Sequence, residues 1–274
     1  MVLQDLSHRA ERGLEPANKQ QGAAYMAQII TLLTDFGTSD SYVAEVKGVL
    51  LSRIPGAQLV DVSHDIAPGD VRAGAYVLGR AWPRFPKGAV HLAIVDPGVG
   101  TARRALAAEA AGHRFVAPDN GLLSSLPPDA RFVALPIPTD ASPTFHGRDV
   151  FAPVAAALAN GASLTDLGSI ITDAHRVPRT TPQVKGGVVI GEVIHIDRFG
   201  TLLTNITPNL VTARSRIVIG AHEVLLARTF ADVARGDLVA FIGSGGTIEI
   251  AARDSSAAMV TQQTVGAVVR IEPA

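Results

Sequence analysis

The chain reads as an α/β N-terminal region followed by a small antiparallel β domain, and three observations support that reading. Apolar runs at residues 29–33, 57–62 and 90–95 alternate with helical periodicity at residues 41–51 and 71–81, the pattern of β-loop-α units that build a sheet flanked by helices. Residues 177–187 are short of apolar side chains and carry two Pro and two Gly, as an interdomain linker does. Beyond them come short β runs at residues 188–196, 202–206, 216–219, 223–226, 238–242, 247–251 and 266–271, with no long helical segment between them. The expected division is a disordered leader at 1–28, an α/β domain at 29–177, a linker at 178–187 and a β domain at 188–274.

Composition narrows the function. The 274 residues suffice for a substantial core. With 24 Lys+Arg against 25 Asp+Glu, the net charge of −1 gives no reason to expect a nucleic-acid partner or an electrostatic membrane anchor. Zero Cys excludes disulfides and thiolate metal sites and fits a reducing cytoplasm. No apolar run approaches the ~18 residues of a membrane span. The first 28 residues include Asp5, Arg9, Glu11, Arg12, Glu15 and Lys19 with no apolar stretch, unlike a secretory signal, and Met26 is an alternative start.

In chain order, the first strand ends at Thr34-Asp-Phe-Gly37, which places Asp35 at the mouth of a β-loop-α unit. The second ends in Asp61-Val-Ser-His-Asp-Ile-Ala-Pro-Gly-Asp-Val-Arg72, where carboxylates and an imidazole gather at a strand end and a Pro-Gly turn. Loops beyond the carboxyl ends of such strands line the ligand crevice, which suits Asp65 and Arg72 to chemistry. Asp70 is better placed to cap the helix starting at Val71. The third strand runs into Asp96-Pro-Gly-Val-Gly-Thr101, but Arg103 stands where a dinucleotide fingerprint needs its last Gly. Residues 104–109 and 114–117 read as a hairpin, with Asp119-Asn-Gly121 opening the next turn. Phe145-His-Gly-Arg-Asp149 then precedes an Ala-rich helix at 154–160, with His146 just before it.

The chain contains no G-x-x-x-x-G-K-[ST], H-E-x-x-H or G-x-S-x-G. What remains is a set of aspartates at strand ends, Asp35, Asp65, Asp96 and Asp119. Such carboxylates suit a hard metal ion, as in a metal phosphoesterase, or the hydroxyls of a ribose.

Taken together, Leu33-Thr-Asp-Phe-Gly37, Val62-Ser-His-Asp-Ile66 with Asp70-Val-Arg72, Val95-Asp-Pro-Gly-Val-Gly100, Pro118-Asp-Asn-Gly121, Thr144-Phe-His-Gly-Arg-Asp149 and Ile196-Asp-Arg-Phe-Gly200 resemble the S-adenosyl-L-methionine (SAM) hydroxide adenosyltransferases, relatives of the SAM-dependent fluorinase and chlorinase. The resemblance implies a central sheet between helices, then a β-barrel-like C-terminal domain. It also implies a homotrimer with SAM between one subunit's N-terminal domain and a neighbour's C-terminal domain, and no cofactor or metal. The implied activity is attack of an activated water or hydroxide on C5′ of SAM, yielding adenosine and methionine. Asp65, Arg72 and His146 correspond to the water-activating residues, and Asp35 to the ribose-binding aspartate. Phe36, Asp96, Asn120 and Gly147 are placed on the substrate side of the N-terminal domain. Asp197 matches a contact to the methionine amino group, and Phe199 and Ser244 fall on binding loops. Thr201 departs from the family's usual Asn, the position of an adenine contact. The fluorinase has Tyr and Ser where this chain has His146 and Gly147, and Thr in place of Val99, so fluoride loses its partners. The chlorinase shares the Gly but not the His or the full Asp-Arg-His set. A chlorinase and a SAM sensor without turnover are the alternatives.

Overall fold

A computed structural model describes residues 28–212 and 214–273, so the expected leader lies outside the described residues except for its last position. The N-terminal half is built from β1 (Ile29–Thr34), α1 (Tyr42–Arg53), β2 (Gln58–Ser63), α2 (Val71–Ala81), β3 (Val90–Ile94), β4 (Ala105–Ala110), β5 (His113–Pro118), β6 (Arg131–Leu135), α3 (Ala152–Ala159), α4 (Leu164–Leu167) and β7 (Ser169–Ile171). They form one sheet in the order β2-β1-β3-β5-β4-β6-β7. β2, β1, β3 and β5 are parallel neighbours, so their carboxyl ends share one edge.

Alternation along these strands puts helices on both faces. Ile30, Leu32, Leu92 and Ile94 enter a core with Val46 and Leu50 of α1 and the alanines of α3. Leu33, Ala93 and Val95 enter a second core with Leu78 of α2. Asp70 caps α2, its Oδ1 accepting the Ala73 N–H at 2.9 Å, as its position before the apolar run predicted. β6 and β7 extend the sheet beyond the sequence reading, because strands of five and three residues carry too little pattern to be recognised.

The C-terminal half contains β8 (Gln183–Lys185), β9 (Val188–Ile196), β10 (Leu202–Thr204), β11 (Arg216–Ile219), β12 (His222–Leu226), β13 (Leu238–Ile242), β14 (Ile248–Ala252), α5 (Ala257–Thr261) and β15 (Val268–Glu272). Their order, β10-β14-β13-β12-β11-β15-β9-β8, is closed by pairing of β10 with β9. The result is a seven-stranded barrel filled by Val193, Leu202, Ile217, Ile250 and Ile271 among others. Two details refine the expectation. The stretch read as linker contains β8, which pairs with β9. The barrel is also not wholly antiparallel: β12 and β13 run parallel, because the crossing that includes the short 3-10 turn Phe230–Asp232 returns the chain in the same direction. On α2, Tyr76 stacks on His195 of β9 at 4.4 Å and Arg80 donates to Ser244 Oγ at 3.0 Å, docking the helix on the barrel. Among the described residues no helix is long and apolar enough to cross a membrane.

Away from the carboxyl edge, His91 is sealed in the sheet between Thr31 Oγ1 (2.8 Å) and His113 Nδ1 (3.1 Å) and stacks on Phe115. Burial, with His113 beside it, pushes its pKa down from 6.5 to about 3. The folded protein therefore keeps His91 neutral while the unfolded chain takes up a proton, so stability should fall as pH drops from about 6.5 towards about 3. The expected loss is about 1.4 kcal/mol per pH unit across that window. Urea melts at a series of pH values should show this slope, and His91→Gln, which has no titratable group, should lose one proton's share of it. A variant with the wild-type slope would place the acid-sensitive group elsewhere.

Candidate active site

The carboxyl edge of the sheet collects the residues that the strand-end motifs marked. Asp35 follows β1, and its Oδ2 accepts the Gly69 N–H at 2.8 Å, fastening the first loop to the Pro-Gly turn of the second. The Gly37 N–H donates to the His64 carbonyl at 2.8 Å, and His64 Nδ1 lies 2.8 Å from Thr34 Oγ1, so the ends of β1 and β2 are tied together. His64 is thereby a structural residue of this edge. Asp65 and Arg72 are both exposed, at the end of β2 and in the first turn of α2. Among the described residues no ion pair joins them, so the simple structural pairing of Asp65 with Arg72 is not what holds this loop.

His146 reaches the same edge by a different local device. Residues Gly147–Phe151 form a π-helical turn, and α3 begins at Ala152 rather than at 154. Such a wide turn displaces side chains from regular helical positions and is common at functional sites. The turn is held by Asp149, whose Oδ2 accepts the Ser142 N–H at 2.9 Å, and by Arg148, which donates to Glu45 of α1 at 3.0 Å. Gly147 packs among Phe36, Phe145 and Ile94, where an added Cβ would come within 3.3, 3.2 and 3.4 Å of their side chains. Phe36, Tyr42 and Phe145 form a mutually tilted aromatic cluster over this wall.

His146 is 5% exposed, and its Nδ1 accepts a hydrogen bond from Arg103 Nη2 at 2.9 Å. A guanidinium has only donors, so Nδ1 must present its lone pair and the neutral ring carries its proton on Nε2. Burial, then the Arg103 charge, lowers the His146 pKa against the opposing pull of Asp96 and Asp149, which favours that neutral form. Arg103 is itself held by Asp96 through two hydrogen bonds, Nε to Oδ1 at 2.9 Å and Nη2 to Oδ2, with the guanidinium 5.3 Å from the Phe151 ring centre. Both side chains of this pair are nearly enclosed, at 9% and 6% exposure.

Other expected site residues have visible structural tasks. The Asn120 Nδ2 donates to the Val95 carbonyl at 2.8 Å and its Oδ1 accepts the Leu122 N–H at 3.2 Å, pinning the loop after β5 to the end of β3. Asp119 accepts from Arg104 and from the His175 N–H. Of the strand-end aspartates, Asp35, Asp96 and Asp119 therefore face separate partners, and no group of three or more metal-holding side chains occurs among the described residues. On the barrel, Asp197 Oδ1 accepts the N–H groups of Phe199 at 2.9 Å and Thr201 at 2.8 Å. This tight turn needs a left-handed Gly200 (φ +80°), where a side chain would also collide with Ser256. It presents Phe199 to solvent, 79% exposed, while Thr201 is buried beneath.

Residues 30–168 match the family model for the SAM hydroxide adenosyltransferase N-terminal domain, and residues 191–270 match that for the C-terminal domain. The chain belongs to this family. Among its relatives, a protein of Salinispora arenicola named (R)-S-adenosyl-L-methionine hydrolase is 41% identical over 88% of this chain and 97% of its own length. A protein of an Actinoplanes species named fluorinase is 32% identical, covering 81% of this chain and 90% of its own. The structure of an uncharacterized conserved protein from Thermotoga maritima superposes with a TM-score of 0.81 at 34% identity, over 89% of this chain and 99% of that one.

Within this adenosyltransferase fold, one edge gathers Asp35, Phe36, Asp65, Arg72, Asp96, His146 and Gly147. Among the described residues no hydrogen bond or ion pair connects Asp65, Arg72 and His146 to one another; His146 is instead bonded to Arg103. Arg103 is the residue that the sequence reading missed. Its signal was present, since it is the side chain that spoiled the dinucleotide fingerprint in the Gly-rich loop, but which of two adjacent arginines turns inward is decided by packing.

Proposed function

We propose that this protein hydrolyses SAM to adenosine and methionine by attack of a water-derived oxygen on C5′. The observation that carries the reading is the 41% identity, spanning both domains, to a relative named (R)-S-adenosyl-L-methionine hydrolase. In this reading the Asp35 carboxylate takes the ribose hydroxyls, Phe36 and Gly147 form the wall beside C5′, and the Asp197 turn with Phe199 and the Ser244 loop takes the methionine end and the base. SAM is the substrate, and the chemistry needs no further cofactor. The assembly is a homotrimer in which one subunit's strand edge meets a neighbour's barrel, and the exposed Phe199 supports such a contact.

The leaving group is a neutral thioether, so departure requires no acid. An anionic oxygen meeting a sulfonium cancels charge on the way to the transition state, and a site that excludes bulk water favours that step. Asp65 accepts the proton of the attacking water, and the permanent charge of Arg72 stabilises the oxygen anion as it forms. His146, with Nδ1 occupied by Arg103, serves through Nε2–H as a donor that orients the oxygen.

Incubation with SAM followed by chromatography should yield adenosine and methionine in equal amounts, with and without added chloride. SAM recovered intact would support a binding protein without turnover. A 5′-chloro nucleoside would support a halogenase.

A further inference from the structure

We propose that Arg103 is a positioning residue for the hydrolysis, holding His146 as the neutral Nε2–H tautomer in one ring orientation. The inference rests on the hydrolase reading for its consequence, but its structural half stands on geometry alone. Arg103 Nη2 is 2.9 Å from His146 Nδ1 and the same nitrogen also bonds Asp96 Oδ2, while Nε bonds Asp96 Oδ1. The two-point grip of the carboxylate fixes the plane of the guanidinium, and Phe151 covers its face. The ring of His146 therefore meets a rigid donor. An imidazole without that donor is free to sample the other tautomer, which would offer Nε2 as an acceptor rather than a donor. The charged groups that bear on the ring are Arg103, Asp96 and Asp149. The rest of the wall at Gly147 is Phe36, Phe145 and Ile94. Arg103 both anchors the ring and opposes its protonation. Asp96 acts one step further back, by aligning Arg103.

Nitrogen-15 NMR of histidine-labelled protein, with the His146 signals assigned by their absence from His146→Gln, reads this directly and needs no turnover. Wild-type His146 should show an unprotonated Nδ1 and a protonated Nε2 at neutral pH, with a titration midpoint below 6.5. Arg103→Met should be made together with Asp96→Asn, so that no unpaired carboxylate is left buried. In that double variant the two nitrogens should approach the average of mixed tautomers and the midpoint should rise. Its kcat should fall on the order of a hundredfold, with KM within about threefold of wild type, as expected for lost alignment of a group that acts in the transition state. Arg103→Lys, keeping the charge and one donor, should recover part of that loss. A wild-type His146 protonated on Nδ1 would overturn the proposal, as would a double variant with unchanged nitrogen shifts or unchanged kcat. Wild-type tautomer as stated, but no adenosine formed, would sink the hydrolase reading and leave the Arg103–His146 arrangement intact.

Discussion

Turnover in oxygen-18 water is expected to place the label in the 5′-hydroxyl of adenosine and to leave methionine unlabelled. Attack at C5′ makes the new carbon–oxygen bond there and breaks only the bond from C5′ to sulfur, so methionine's oxygens never exchange. The effect is all or none, which makes it the most exposed consequence of the reading. The wall beside the proposed nucleophile explains why water should win over halide. Gly147 has no hydroxyl, and its neighbours Phe36, Phe145 and Ile94 are apolar. The polar groups that the proposed mechanism offers are Asp65, Arg72 and His146. A carboxylate that can take a proton favours water and repels an anion, whereas stripping water from fluoride without enough replacement donors is costly. Added fluoride or chloride should therefore yield no 5′-halo-5′-deoxyadenosine. Mass spectrometry of the nucleoside settles both points, and unlabelled adenosine would mean that the 5′-oxygen does not come from water.

The second large effect is expected from Asp65→Asn, Arg72→Ala and His146→Ala. Each should lower kcat by on the order of 10²–10⁴-fold, the range for loss of a positioned proton-transfer or orienting group. Combined substitutions should cost far less than the product of the single losses, because the groups act on one oxygen. SAM binding should survive in all three. Asp35→Ala should behave in the opposite way: a carboxylate accepting ribose hydroxyls contributes equally to ground and transition states, so affinity should weaken by about 10- to 100-fold with kcat little changed. Calorimetry with SAM beside steady-state kinetics separates the two classes. Near-normal rates for Asp65→Asn and His146→Ala would move the chemistry away from this edge.

Much of the architecture was legible in the amino-acid order because it depends on local periodicity. The β-loop-α units, the bounds of α2 with its Asp70 cap and seven β runs in the C-terminal half are all patterns of two to four residues' reach. The strand-end aspartates and the His146 motif were visible for the same reason, as polar residues where apolar runs stop. The weaker elements were not: β7 and β8 are three residues each, and the π-helical turn before α3 differs from a helix by hydrogen-bond geometry rather than composition.

Residue types and spacing thus determined by themselves the two-part α/β and β organisation, the edge on which chemistry could sit and the family resemblance that named a substrate. Tertiary structure decided which neighbours those residues have. Arg103 turns inward to Asp96 and His146 while Arg104 turns to Asp119 and Asp173, a choice that adjacent identical residues cannot announce. Closure of the barrel likewise depends on β10 meeting β9 on one side and β14 on the other, the latter pair more than 40 residues apart. The physical reason is common to both. A side chain's hydrogen-bond partner and a strand's neighbour are set by packing of distant segments, whereas helix, strand and cap are set by residues within a turn or two.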